Sequence, residues 1–259
     1  DEILDRDEQQ LTPTHFMQSS YNAMAGLLAI SLKCTGYNNN FVSRGFAFET
    51  ALHDAVLYLR EKENESILLG AFDETSPQQY AEYVRMGYFK PGHIDHLNLF
   101  ASNTSGTLQG EGVTFFLLSS LPCPNSLCRL RDFRMVRPSD DEVLRGELDV
   151  FLSANNLMPQ DVDIVINGIS GDAVRDRRNM ALKEWFFPGT TEARFKHLTG
   201  EYTTASAFGM WLGAKILKTQ TLPEAVLSGP ASFNGSVKTI LFCNHFLGKY
   251  YSFFLLTRE

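Results

Sequence analysis

Cysteine is scarce in this chain, with four residues in 259. So few cysteines exclude a disulfide-stabilised scaffold and favour reduced thiols. No apolar run approaches the roughly 20 residues that a membrane-spanning helix needs. No secretory signal peptide can be recognised either. Together these absences predict a cytoplasmic protein without a membrane span.

Positive charge is also in short supply, with 23 basic against 30 acidic residues and a net charge of −7. Because proteins that bind nucleic acid usually carry basic patches, this balance disfavours a nucleic-acid partner. The chain is 44% hydrophobic and long enough to bury a sizeable core. It begins at Asp1 on an acidic, polar segment, from which we expect that a natural N-terminal part is missing.

Hydrophobic periodicity predicts alternating strands and helices. The clearest helix follows Gly45, where apolar residues recur at helical spacing from Phe48 to Leu59. A run over residues 21–33 is apolar nearly all round and predicts a buried helix. The other expected helices lie near residues 78–85, after an N-cap at Ser139, over 176–185 and over 203–217. The expected strands cover residues 67–72, 113–120, 129–136, 162–167, 237–243 and 250–256. This order predicts a layered α/β fold.

Seven stretches, in order along the chain, are similar to conserved blocks of one family. They are LTPTHFMQSSYNAMAGLLAISLKCTGY, FVSRGFAFETALHDAVLYL, ILLGAFDE, GEGVTFFLLSS, DVDIVINGISGDAVRD, FKHLTGEYTTASAFGMWLGAKIL and ILFCNHFLGKYYSFFLL. Together they resemble the β-ketoacyl synthases, which are condensing enzymes of the thiolase-like fold. The resemblance is strongest to the divergent ketoacyl synthase-like subgroup of Bacteroidetes-type pigment and aryl-polyene clusters.

The resemblance implies a particular architecture. In the family, two similar halves pack as α-β-α-β-α layers with the active site between them. Here the halves would be residues 1–122 and 123–259, divided at a stretch rich in Pro, Asn and Ser. The N-terminal half would be truncated, because its opening strand–helix–strand portion has no counterpart in this sequence.

The family's chemistry depends on a cysteine thiolate at a helix N-terminus, which attacks an acyl thioester. The matching block here contains no cysteine. Ser43 is the nearest residue of nucleophile type, and Gly45 is the alternative counterpart of the cysteine. Ser43 is either an acyl acceptor, a substrate contact or the N-cap of the helix, and we favour the N-cap because serine is preferred there.

Two histidines of the family, which stabilise the enolate, are also replaced. Gly168 stands at the first position and Glu201 at the second, with the family's lysine retained as Lys196. An ionised Glu201 would repel an enolate or a malonyl carboxylate by about 4 kcal/mol at 4 Å and intermediate dielectric. We therefore expect Lys196 and Glu201 to form an ion pair. The family's Gly-Phe-Gly-Gly run is replaced by bulkier residues in FLGKY, residues 246–250.

Two further side chains are candidates for substrate contact. His245 beside the closing hairpin is either a stray catalytic residue or a hydrogen-bonded structural histidine, and Phe208 either lines a pocket or belongs to the core. We favour the structural interpretation of both. No cofactor is implied. No metal site is expected either, because the remaining groups of ligand type are too few or too close in sequence: His93, Asp95, His96, Cys123 and Cys128.

These replacements predict a catalytically degenerate subunit that resembles a chain-length factor. Its partners would be acyl carrier protein and an active ketoacyl synthase subunit, or a second copy of itself. The alternative is an active 3-oxoacyl-[acyl carrier protein] synthase or acyltransferase that uses Ser43 or residues outside this chain. A third hypothesis is a lone acyl-binding module. All three depend on analogy with the family.

Overall fold

A computed structural model describes residues 13–18, 20–62, 64–229 and 235–258. The chain divides into two compact units, Asp1–Ser43 and Arg44–Glu259. Within the described ranges, no helix is both long and apolar enough to cross a membrane.

The first unit contains two helices, α1 (Pro13–Gln18) and α2 (Ala23–Leu32). The helix predicted over residues 21–33 is therefore present, but the prediction that it is buried is wrong, because none of the residues of α2 is buried. Leu27 and Ile30 are 57% and 76% exposed. A helix that is apolar all round has no polar face to turn toward water, so any incomplete cover leaves apolar side chains exposed.

The second unit contains two sheets. Strands β1 (Ser66–Asp73) and β2 (Gly112–Ser119) form an antiparallel pair. The larger sheet has five strands in the order β3-β7-β6-β4-β5. Its strands are β3 (Arg129–Val136), β4 (Ile164–Gly168), β5 (Thr191–Arg194), β6 (Thr239–Phe246) and β7 (Tyr250–Thr257). Strand β4 runs parallel to both of its neighbours, whereas β7 is antiparallel to β3 and β6. Every strand predicted from the sequence is confirmed, and β5 is additional.

The helices of this unit are α3 (Ala47–Glu61), α4 (Pro77–Arg85), α5 (Asp141–Ala154), α6 (Arg177–Phe186), α7 (Lys196–Thr199) and α8 (Ala205–Thr219). Two predicted helix starts are wrong. The N-cap of α5 is Asp140, whose carboxylate accepts the Val143 N–H at 2.8 Å, while Ser139 donates its hydroxyl to Asp140. Helix α3 begins only after a 3₁₀ turn (Arg44–Phe46), so Ser43 does not cap it.

Two apolar cores lie on opposite faces of the five-stranded sheet. Successive side chains of a strand point to opposite faces, so Phe242 of β6 joins one core and Leu241 the other. The first core is shared with α3, α8 and the inner face of β1, and includes Met210 and Leu69. The second is formed with α5 and α6 and includes Leu148. The second unit is thus layered as small sheet, helix pair, large sheet and helix pair.

Polar residues replace apolar ones where β4 and β6 end. The two strands are parallel, and Gly168 pairs with Asn244 at their carboxyl ends. Asn244, His245 and Ser252 are nevertheless buried, like the apolar residues before them. Burying polar groups is costly unless they are hydrogen-bonded. A cluster of them therefore marks this end of the sheet as the candidate functional site.

Candidate functional site

Gly45 lies beneath the hairpin that joins β6 and β7. A Cβ atom built on Gly45 would lie 2.6 Å from Cγ and 2.8 Å from Cβ of Tyr250, well inside contact distance. Glycine is therefore the residue that leaves room for Tyr250 at this point. Ser43, the other candidate for the nucleophile position, is exposed and precedes this unit.

The Tyr250 ring is fixed by its neighbours. It meets the ring of Phe46 edge to face, with centroids 5.2 Å apart. The guanidinium of Arg137 lies 5.0 Å from the centroid of the Tyr250 ring, within the range of a cation–π interaction. These contacts hold an aromatic side chain where the first turn of α3 meets the hairpin.

Gly168 is equally confined at the end of β4. A Cβ atom built there would lie 2.4 Å from Oδ1 and 2.9 Å from Cα of Asn244. Because one of these atoms belongs to the backbone, rotation of the Asn244 side chain alone does not make room. An imidazole at this position would require the neighbouring strand to shift.

The loop after β4 is held by Asp172. Its carboxylate is buried and accepts backbone N–H groups of Gly106 at 2.7 Å, Val174 at 3.0 Å and Arg175 at 3.1 Å. The guanidinium of Arg175 pairs with the same carboxylate. Every acceptor direction is engaged, so Asp172 holds the loop in place.

Asp176 and His245 form a second buried polar group. The Asp176 carboxylate accepts the N–H and hydroxyl of Ser170 at 2.8 and 2.9 Å, the Gly171 N–H at 2.7 Å and Nε2 of His245 at 2.9 Å. Burial works against the ionised form, but the hydrogen bonds from His245 and Ser170 hold the pKa of Asp176 below its ordinary value. Nδ1 of His245 accepts the Gly248 N–H at 3.2 Å. Both ring nitrogens are therefore engaged, and neither is free to act as a base.

Lys196 and Glu201 form the ion pair predicted from their positions. Nζ of Lys196 lies 2.8 Å from Oε2 of Glu201, with side chains 0% and 2% exposed. The ammonium also donates to the carbonyl oxygen of His245 at 2.7 Å. Burial raises the pKa of Glu201, and the charge of Lys196 opposes that rise. The pair fixes α7 and the turn after it against the end of β6.

Glu49, in the first turn of α3, was not found from the sequence. It is 0% exposed, and its Oε1 accepts the Ser252 hydroxyl at 2.8 Å, while Oε2 has no hydrogen-bond partner among the described residues. Burial raises the pKa of Glu49, opposed by Ser252 and Ser206. A signal was available: Glu49 stands three residues before Leu52 on the apolar stripe, where a carboxyl is unexpected.

Phe208, in α8, lies apart from these polar groups. Its ring stacks on Phe195 at 5.9 Å and contacts Trp211 at 5.2 Å. It packs against the first apolar core. Among the described residues, no group of three His, Cys, Asp or Glu side chains is arranged to hold a metal ion.

A cleft of about 480 Å³ opens beside the hairpin. Three of its six lining residues are basic, and the lining consists of Arg137, Pro138, Ser139, Arg178, Gly248 and Lys249. Arg178 is neutralised by Asp141, 2.6 Å away. Arg137 instead contacts the Tyr250 ring, which also contacts Gly45 in the 3₁₀ turn before α3.

Comparison with known proteins finds one family model and several solved structures that are similar to this chain. Residues 3–94 match the family model described as the N-terminal domain of β-ketoacyl synthase. No curated protein matched the sequence. One similar solved structure is a chain of the AntDE:AntF complex, which is described as a type II polyketide synthase acyl-carrier protein in complex with its ketosynthase bound to the hexaketide. The match covers 96% of this chain and 70% of that chain, with a TM-score of 0.79 and 15% sequence identity.

Two further solved structures are similar to this chain over its whole length. The ishigamide ketosynthase/chain length factor matches with TM-score 0.80 and 13% identity over 70% of that chain. A β-ketoacyl synthase from Burkholderia phymatum STM815 matches with TM-score 0.74 and 13% identity over 71% of that chain. These similarities show the thiolase-like fold. The match of residues 3–94 to the family model confirms the predicted resemblance to the β-ketoacyl synthases.

Proposed function

We propose that this chain is a catalytically degenerate β-ketoacyl synthase-like subunit of fatty-acid or polyketide biosynthesis, of the aryl-polyene type. In this proposal it pairs with an active synthase in the manner of a chain-length factor. The observation that carries the proposal is the contact between Gly45 and Tyr250. Where a condensing enzyme needs a thiolate, this chain has neither a side chain nor space for one.

The positions of the two histidines support the same proposal. Gly168 is confined by Asn244, and Glu201 is committed to Lys196. Stabilisation of an enolate requires preorganised donors, and a carboxylate is not a donor. His245, at the end of β6, uses both ring nitrogens in structural hydrogen bonds.

The proposed partners are acyl carrier protein and an active ketoacyl synthase. Two similar structures support them, one described as an acyl-carrier protein in complex with its ketosynthase and the other as a ketosynthase/chain length factor. The division into halves at residues 122 and 123 is part of the proposal, as is a cytoplasmic location. Residues that a complete pair needs for catalysis would come from the synthase.

Catalysis by the chain alone tests the degenerate state. The purified protein is incubated with acyl carrier protein that carries labelled acyl and malonyl groups, and released CO₂ and the intact protein mass are measured. We expect neither CO₂ nor an acyl adduct, whereas an active synthase assayed in parallel gives both. An adduct on the native chain that is lost on Ser43→Ala would establish the alternative, an acyltransferase that uses Ser43.

Pairing is tested separately by co-expression with an active, cysteine-containing synthase of the same gene cluster. We expect one complex on size-exclusion chromatography and a product chain length that differs from that of the synthase alone. Separate elution of the two proteins, with an unchanged product, contradicts the pairing. Acyl binding by the isolated chain, without any complex, would instead favour the lone acyl-binding module.

A further inference from the structure

We infer that Tyr250 acts as a plug: its side chain fills a space between the cleft beside the hairpin and Gly45, in the 3₁₀ turn before α3. The inference rests on the proposed function only for the identification of position 45 with the nucleophile of active relatives. Its geometric content is that the Tyr250 side chain contacts Gly45 and also Arg137, a residue that lines the cleft.

The inner side of the plug is defined by the contacts at Gly45. The Tyr250 atoms nearest to a Cβ built on Gly45 are Cγ at 2.6 Å, Cδ2 at 2.7 Å and Cβ at 2.8 Å. Rotation of a side chain about its Cα–Cβ bond moves the ring but leaves Cβ in place. Turning the tyrosine aside therefore does not free the space, and both its ring and its Cβ must be removed.

The outer side of the plug is defined by the cleft. Arg137 lies over the Tyr250 ring at 5.0 Å and also lines the cleft. Lys249, the residue before Tyr250, is a second lining residue. The Tyr250 ring thus contacts both Gly45 and a residue that lines the cleft of about 480 Å³, so removing the ring leaves space next to both.

The plug is tested with a cysteine reporter at position 45. The variants are Gly45→Cys, Gly45→Cys with Tyr250→Ala, and Gly45→Cys with Tyr250→Gly. Each is treated with iodoacetamide, and labelling of residue 45 is followed by peptide mass spectrometry. In this reaction the thiolate sulfur bonds to the CH₂ carbon, iodide leaves, and the thiol proton passes to the buffer.

We expect labelling at position 45 to be at least about tenfold faster with Tyr250→Gly than with Tyr250 retained, because an accessible thiol at a helix N-terminus is reactive. Tyr250→Ala should give an intermediate rate, because its Cβ remains in contact. Native thiols serve as controls within the same sample: exposed Cys34 and Cys123 label in every variant. Cys243 does not, because it is buried and burial raises the pKa of its thiol.

The inference is contradicted if the cysteine at position 45 is labelled at the same rate with and without Tyr250, in variants that retain a cooperative thermal transition. A folded Gly45→Cys/Tyr250→Gly variant that is not labelled would overturn it as well. If Gly45→Cys folds only together with Tyr250→Gly, the relief of the clash supports it. A further measurement uses Tyr250→Gly in the otherwise native chain. We expect faster amide hydrogen exchange at residues 46–49, and unchanged exchange contradicts the inference. None of these measurements uses the condensation activity that tests the proposed function.

Discussion

Lys196 and Glu201 neutralise each other in the interior, at 2.8 Å and with almost no exposure of either side chain. Removing one member of a buried pair leaves an uncompensated charge, which destabilises by about 3–5 kcal/mol. We therefore expect Lys196→Met to lower the free energy of unfolding by about that amount. Urea denaturation at neutral pH measures it.

The double variant Lys196→Met/Glu201→Leu is the matched control for this pair. Replacing both charges by apolar side chains removes the uncompensated charge, so the double variant should be more stable than Lys196→Met. The single variant Glu201→Leu completes the comparison. If the double variant loses as much free energy of unfolding as Lys196→Met and Glu201→Leu lose together, the two groups do not interact energetically.

Local patterns were sufficient to predict most of the secondary structure. The apolar periodicity from Phe48 to Leu59 identified α3, and alternating or continuous apolar runs identified six strands, because those patterns reflect burial on one or both faces. Strand β5 was missed because its four residues, TEAR, contain one small apolar side chain. The N-cap of α5 was misplaced by one residue because Ser139 and Asp140 are both good caps.

The site was only partly predictable. The Lys196–Glu201 pair could be inferred because opposite charges five residues apart flank a glycine in a conserved block. The contact between Gly45 and Tyr250 joins distant parts of the chain and becomes visible only when β7 packs against α3. For Glu49 the sequence offers only its place on the apolar stripe of α3, because its hydrogen-bond partner, Ser252, lies on a distant strand.

Asp176 should make the protein sensitive to acid. Because its folded-state pKa is depressed, its contribution to stability is present above the unfolded value of about 3.9 and is lost as the pH falls through the folded value. Asp176→Asn should lower stability at pH 7 by about 1–3 kcal/mol, since the amide cannot accept all four hydrogen bonds. It should also flatten the decline of the urea midpoint between pH 5 and pH 3. The exposed Asp149→Asn is the control, and an equally steep decline in Asp176→Asn would contradict this role.

Glu49 should have the opposite pH dependence. Its pKa is raised by burial, so folding holds a proton that the unfolded chain releases above about pH 4.3. Stability from this group is therefore present below the unfolded pKa and lost as the pH rises toward the folded one. Glutamine does not titrate, so Glu49→Gln avoids this loss of stability at higher pH. The free energy of unfolding of Glu49→Gln, relative to that of the native chain, should therefore increase from pH 4 to pH 8. Glu82→Gln, at an exposed helical position, should show no such trend. A difference for Glu49→Gln that does not change with pH would show that folding does not raise the pKa of Glu49.

Gly168 and Gly146 give a matched pair of glycine substitutions. A Cβ at Gly168 would meet Asn244 at 2.4 Å, whereas a Cβ at Gly146, on the exposed side of α5, meets no atom within 4 Å. Overpacking typically destabilises by about 1–3 kcal/mol, so Gly168→Ala should lower the free energy of unfolding by that order. Gly146→Ala should raise it by about 0.5–1 kcal/mol, because alanine restricts the unfolded chain and favours the helix. Urea denaturation of both variants measures these changes. If Gly168→Ala is as stable as the native chain, the end of β4 can accept a side chain, and the proposed replacement of a family histidine by Gly168 is then not enforced by packing.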